Sequence, residues 1–251
     1  MTWRDYFARD YPGAPFVLYG SRHLTVLAVL FVFGIFMLSF RGASGSSRRR
    51  ARLSLALLMA ATEASYHLWM FVIGRWTVQA MLPLHLCSAL IWTAAYTLVT
   101  RNERTYEFVY LMGIGAALQA LLTPEAAGYG IPHYRALETL TAHGLLIIAA
   151  LYLTVVEGLR PTPRSVRRVV LGTLAYMVAV TGVNLAVGGN YLYTLRKPAT
   201  ASLLDAFGPW PWYLAPMMAA GILSCVLLYI PFWWIDRRRV AAGVTAGAET
   251  P

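Results

Sequence analysis

The chain has 251 residues, 58% of them apolar. Only 13% are charged, against roughly 25% in an ordinary soluble domain. Lys and Arg number 21 and Asp and Glu 11, for a net charge of +10, and there are two Cys. A disordered chain, a nucleic-acid-binding domain and a disulfide scaffold are excluded, because charge this sparse in so apolar a chain belongs with a bilayer.

A spanning helix needs about 20 mostly apolar residues, since backbone N–H and C=O groups cannot stay unpaired in hydrocarbon. Seven stretches qualify in chain order: Leu24–Phe40, Leu53–Gly74, Val78–Thr100, Tyr106–Thr123, Ala136–Glu157, Val169–Gly188 and Pro211–Ile235. The first does not read as a signal peptide, since Asp5 and Asp10 precede it and no small-residue cleavage site follows. The expected fold class is all-α, a polytopic membrane protein with a bundle of seven transmembrane helices. Residues 1–239 form its single domain, and 240–251, small and weakly polar, are expected to be a disordered tail.

Basic residues orient such a bundle. Arg41, Arg48, Arg49, Arg50 and Arg52 follow the first stretch, Arg101 and Arg104 the third, Arg160, Arg164, Arg167 and Arg168 the fifth, and Arg237, Arg238 and Arg239 the last. The other side holds Arg4, Arg9, Arg22, Arg75, Arg135, Arg196 and Lys197. The excess puts the N-terminus outside and the C-terminus in the cytoplasm, with the basic runs against anionic headgroups. The expected location is the cell membrane, as a multi-pass protein.

Polar groups inside spans are costly and face the bundle interior, so each is a functional candidate. Glu63 and His67 sit four apart on one face of the second stretch. His85 and Cys87 open the third, Gln119 lies near the end of the fourth, Glu138 and His143 open the fifth, and Asn184 closes the sixth. With the expected orientation, these fall toward the outer half, with Glu63 deeper, roughly mid-membrane, while the inner halves read as nearly apolar. Convergence from five helices suggests a cavity open to the outer leaflet. Each polar group has a plainer use as interhelical glue, and Cys225 reads as a packed hydrophobe.

Cys87 and His143 share a depth on different helices, and an imidazole that takes a thiol proton makes a nucleophile. The same groups offer a rival: His67, His85, His143 and Cys87 or Glu63 could ligate zinc, although none forms a recognised ligand motif. The expectation is that no metal or cofactor is used. In the outer loop before the last stretch, Tyr191, Tyr193, Trp210, Trp212 and Tyr213 fit an interfacial aromatic belt. Arg196 and Lys197 there could hold a lipid phosphate, or pair with Asp205.

Four segments carry a resemblance: LPLHLC at 82–87, GAALQALLTP at 115–124, GIPHYRALETLTAHG at 130–144 and GNYLYTLRKPATASLLDAFGPWPWY at 189–213. They resemble the bacterial YwaF-like integral membrane proteins over roughly residues 20–235. That family is similar to the eukaryotic transmembrane protein 164 family and, more distantly, to the androgen-induced membrane hydrolases. The resemblance implies a membrane-embedded acyltransferase acting on phospholipids through a Cys and a His, which match Cys87 and His143. In the androgen-induced relatives a Thr nucleophile stands at the comparable place. The expected partner is therefore a membrane lipid rather than a nucleic acid, and the activity is acyl transfer or lipid hydrolysis. A transporter of a small polar or amphiphilic solute and a zinc-dependent seven-helix hydrolase are the rival readings. The absence of a visible repeat counts against the transporter.

Overall fold

Apolar runs of this length become helices wherever the chain permits, and the computed structural model, described over residues 2–124, 128–198 and 203–241, has a helix in each of the seven stretches. We label them α1 (Ser21–Leu38), α2 (Gly45–Val72), α3 (Leu86–Thr100), α4 (Glu103–Leu122), α5 (Tyr134–Val155), α6 (Pro163–Val187) and α7 (Leu214–Ala241). There is no strand among the described residues. Six helices are long and apolar enough to cross a membrane, and α3, equally apolar, has 15 residues. This is a multi-pass membrane protein. Residues 242–251 of the expected tail lie outside the described residues, and α7 carries regular helix through residues 240 and 241.

Local chemistry sets the helix ends. Ser44 caps α2 by accepting from the Ser47 N–H at 3.3 Å. Asn102 caps α4 by accepting from Arg104 and Thr105. Thr162 and Ser165 form a reciprocal capping box around Pro163 at the start of α6. Helix α4 is interrupted by a π-helical turn at Val109–Gly113.

The third stretch is the main departure from the sequence reading. Helix was expected from Val78, but residues 78–85 are irregular and α3 starts at Leu86. Pro83 lacks an N–H and pushes Leu82 out of helical geometry. Tyrosine hydroxyls satisfy the freed backbone: Tyr191 Oη donates to the Val78 carbonyl at 2.7 Å and accepts from the Leu82 N–H at 2.8 Å. Tyr176 Oη donates to the Leu84 carbonyl at 3.0 Å. Irregular backbone at membrane depth survives only when protein groups satisfy it in this way.

Helix α5 is the axis of the bundle, buried along most of its length and packed on α1, α2, α3 and α4. Gly144 lets α1 approach, since a Cβ there would meet Leu30 at 2.7 Å. Helix α1 follows α5 and barely touches α2, which leaves a gap between α1 and α2.

The basic end is not as apolar as the sequence suggested. Glu107 on α4 is buried and bonded to Arg168 on α6 through both carboxylate oxygens. Glu157, after α5, meets Arg101 at 2.8 Å and Arg52 Nε at 3.7 Å. Arg52 also donates to the Leu98 and Val99 carbonyls at the end of α3. Every one of these acids has a basic partner on another element. They staple helix ends together rather than line a path, because a buried charge persists only when paired.

Candidate active site

At the opposite end, α2, α3 and α5 pack against one another and bring a polar cluster together. Glu63 is 2% exposed, and its Oε1 lies 3.7 Å from His67 Nε2 on the next turn of α2. That oxygen is buried with no hydrogen-bond partner among the described residues. Across the interface, Arg135 in the first turn of α5 is bonded to Glu138 one turn on. The Arg135 guanidinium also lies over the Tyr66 ring, 4.2 Å from its centroid. Glu63 is within electrostatic reach of Arg135, Glu138 and Cys87.

Cys87 occupies the second position of α3, two residues past the His85 cap. Its depth and that of His143 can be measured from one point. Arg101 and Glu157 pair at 2.8 Å, and Cys87 and His143 precede them by the same number of residues on parallel, packed helices. At 1.5 Å per residue both stand about 21 Å above that ion pair. The orientation of the imidazole is fixed as well. His143 Nδ1 lies 2.7 Å from the Thr139 carbonyl. A carbonyl only accepts, so the neutral ring carries its proton on Nδ1 and its lone pair on Nε2. Nε2 has no partner among the described residues.

Beside the cluster, a cavity of about 300 Å³ lies between α2, the start of α5 and the N-terminal segment. Thr62, Ser65, Glu138 and Thr141 supply its polar lining, and Tyr6, Phe7 and Leu137 its apolar side. The N-terminal segment forms a cover here, held where Trp69 Nε1 donates to the Phe7 carbonyl and Tyr129 Oη to the Arg9 carbonyl. His133 is the pivot of this cover. Fully buried, it accepts from the Arg135 N–H through Nδ1 and so donates through Nε2 to the Ala8 carbonyl. Burial holds its pKa below the usual histidine value, in keeping with a neutral ring in that double role.

Of the polar residues expected to share one cavity, Glu63, His67, Cys87, Glu138 and His143 belong to this region, and three do not. His85 turns its ring against Tyr191 and Tyr193, each 5.3 Å away, because it caps α3 instead of continuing the helix. Gln119 is exposed, and its side chain bonds to no described residue. Asn184 is fully buried but saturated. It donates to the Tyr191 carbonyl and Thr194 Oγ1 and accepts from the Tyr191 N–H, which fixes the loop whose Tyr191 hydroxyl supports residues 78–82. Arg196 is exposed, and Lys197 lies 3.6 Å from Asp205, the ion pair allowed for in the sequence. No three His, Cys, Asp or Glu side chains converge in a metal-holding arrangement among the described residues. The sequence reading missed Arg135, counted only as an outer-loop charge. Its position three residues before Glu138 at a helix start was the available signal.

The family model of the TMEM164 family matches residues 18–229. The chain belongs to the TMEM164 family. No curated protein and no solved structure matches it. The TMEM164 match spans α1 to α6 and most of α7, so every member of the polar cluster falls inside it. Residues 2–17, which build the cover over the cavity, precede the TMEM164 match.

Proposed function

We propose that the protein is a membrane enzyme that transfers or hydrolyses lipid acyl groups, with Cys87 as nucleophile and His143 as base. The observation that carries this reading is the His143 tautomer: the Thr139 carbonyl holds the proton on Nδ1 and leaves Nε2 to receive one. Membership in the TMEM164 family and the residue pair implied by the resemblance support it.

Cys87 Sγ attacks the ester carbonyl carbon of a lipid as its proton passes to His143 Nε2. The acyl C–O bond breaks, and His143 returns that proton to the departing oxygen, giving a lysolipid and a Cys87 thioester. A lysolipid hydroxyl or water then attacks the thioester, with its proton taken through the same nitrogen, and the thiol is restored. Arg135, balanced by Glu138 and stacked on Tyr66, is a fixed cation within electrostatic reach of His143. The bundle crosses the cell membrane seven times with its N-terminus outside and basic end in the cytoplasm, so the reaction draws on the outer leaflet. In support, α3 is as apolar as its neighbours, and the basic loops join the helices at one end.

The experiment is an intact-mass measurement after incubation in phosphatidylcholine vesicles. A hydroxylamine-sensitive acyl adduct on Cys87 is expected, absent from Cys87→Ala; no adduct, or one carried by Cys225, overturns the reading. Orientation is checked by C-terminal fusions: green fluorescent protein should fluoresce and alkaline phosphatase stay silent, and the opposite pattern reverses the topology.

A further inference from the structure

The gap between α1 and α2 forms a groove of about 410 Å³ at the basic end, far from the polar cluster. Two facing helical stripes line it. Helix α1 supplies Phe33, Phe36 and Met37, with Phe40 just beyond its end, and α2 supplies Ser47, Arg50, Ala51, Ser54, Leu55 and Leu58. The lining is graded along the helix axis. Ser47 and Arg50 stand toward the loop, with Leu58 about 12 Å deeper than Arg50 and Phe33 about 10 Å deeper than Phe40, at 1.5 Å per residue.

The arginines of this end divide into two sets. Arg52 is buried and engaged with Glu157 and the α3 carbonyls, and Arg48 donates to the Val156 carbonyl at 3.4 Å. Arg50 is exposed at the mouth of the groove and has no hydrogen-bond or ion-pair partner among the described residues. An unpaired guanidinium above an apolar slot, inside a cationic loop, is complementary to one kind of occupant: a phosphate ester with a hydrocarbon tail.

We propose that this groove binds an anionic phospholipid, its headgroup phosphate on Arg50 and an acyl chain between Phe33, Phe36, Leu55 and Leu58. The site is separate from the Cys87 and His143 region and does not depend on the reaction proposed there. It also accounts for the open seam, because the lipid chain fills the space that α1 leaves by following α5.

The test is native mass spectrometry of the full chain released from micelles containing equal dioleoyl phosphatidylglycerol and dioleoyl phosphatidylcholine. One phosphatidylglycerol should be retained in preference to phosphatidylcholine. Arg50→Gln should cut that retention about five-fold, the worth of one basic residue at an anionic lipid surface. Arg49→Gln, exposed but outside the groove lining, should leave it unchanged. Ala51→Trp, which obstructs the chain without altering charge, should lower it as Arg50→Gln does. Equal retention of the two lipids, or equal losses for Arg49→Gln and Arg50→Gln, would overturn the proposal. Arg50 touches nothing the fold needs, so the Arg49 and Arg50 comparison stands even if Ala51→Trp misfolds.

Discussion

His143→Ala is expected to slow alkylation of Cys87 by a lipid-tailed chloroacetamide about 100-fold or more, the usual worth of a positioned base. The expectation follows from three features. Cys87 and His143 share a level in the bundle on packed parallel helices. Nε2 is left with the lone pair. The bond that orients the ring comes from the backbone of α5 itself, so the tautomer does not depend on a side chain elsewhere. Intact-mass time courses on vesicles give the rate. Cys225 serves as an internal control: it is fully buried, with Sγ 3.6 Å from the Leu111 carbonyl and 3.3 Å from Met112 Sδ, and should remain unmodified. Cys87→Ala should abolish the signal. Equal rates with and without His143 would remove the base from the mechanism, whatever the stability of the variant.

Glu157→Ala should be among the most destabilising single changes, by about 3–5 kcal/mol, because it strands a buried cation. The Arg52 side chain is 10% exposed and its Nε has no hydrogen-bond partner, so after loss of the carboxylate only the Leu98 and Val99 carbonyls offset its charge. The other partner of Glu157 provides the contrast. The Arg101 side chain is 52% exposed, so Arg101→Ala should cost at most about 1 kcal/mol. Unfolding in mild detergent by stepwise addition of a denaturing detergent measures both. Equally small losses would mean that Arg52 reaches headgroups or water once released.

Much of the fold was legible because hydrocarbon permits so few backbone solutions. Leu24–Phe40 and Val169–Gly188, for example, correspond to α1 and α6 with ends displaced by a few residues. The failure at Val78 has a specific cause. Apolar content predicts burial, but helix in residues 78–85 is prevented by Pro83 and replaced by hydroxyls of Tyr191 and Tyr176, which are remote in sequence. Depth along a helix follows from counting residues, and Cys87, Glu63 and His143 were expected near the cluster on that ground. Rotation about the helix axis does not follow from such counting. Asn184 and Gln119 read alike as outer-half amides, yet one closes a buried knot and the other points away from the protein. The apolar reading of the basic end failed for a related reason: Glu107 and Glu157 sit at the edges of spans, where sequence alone does not separate a wetted carboxylate from one clamped by arginine.

The shortness of α3 sets the height of one wall of the bundle. Fifteen residues rise about 22 Å, less than the roughly 30 Å of a hydrocarbon core, whereas α2 and α5 exceed α3 by a turn or more. Trp92, Tyr96 and Val99 are exposed apolar faces of this wall. Hydrophobic mismatch of this kind draws the bilayer surface inward, at a fraction of a kcal/mol per ångström. For the lipid reaction proposed above, thinning beside α3 is the expected route by which an ester linkage descends toward Sγ before any pocket encloses it. On that proposal, access to the thiol is a property of membrane shape, set by where one helix begins.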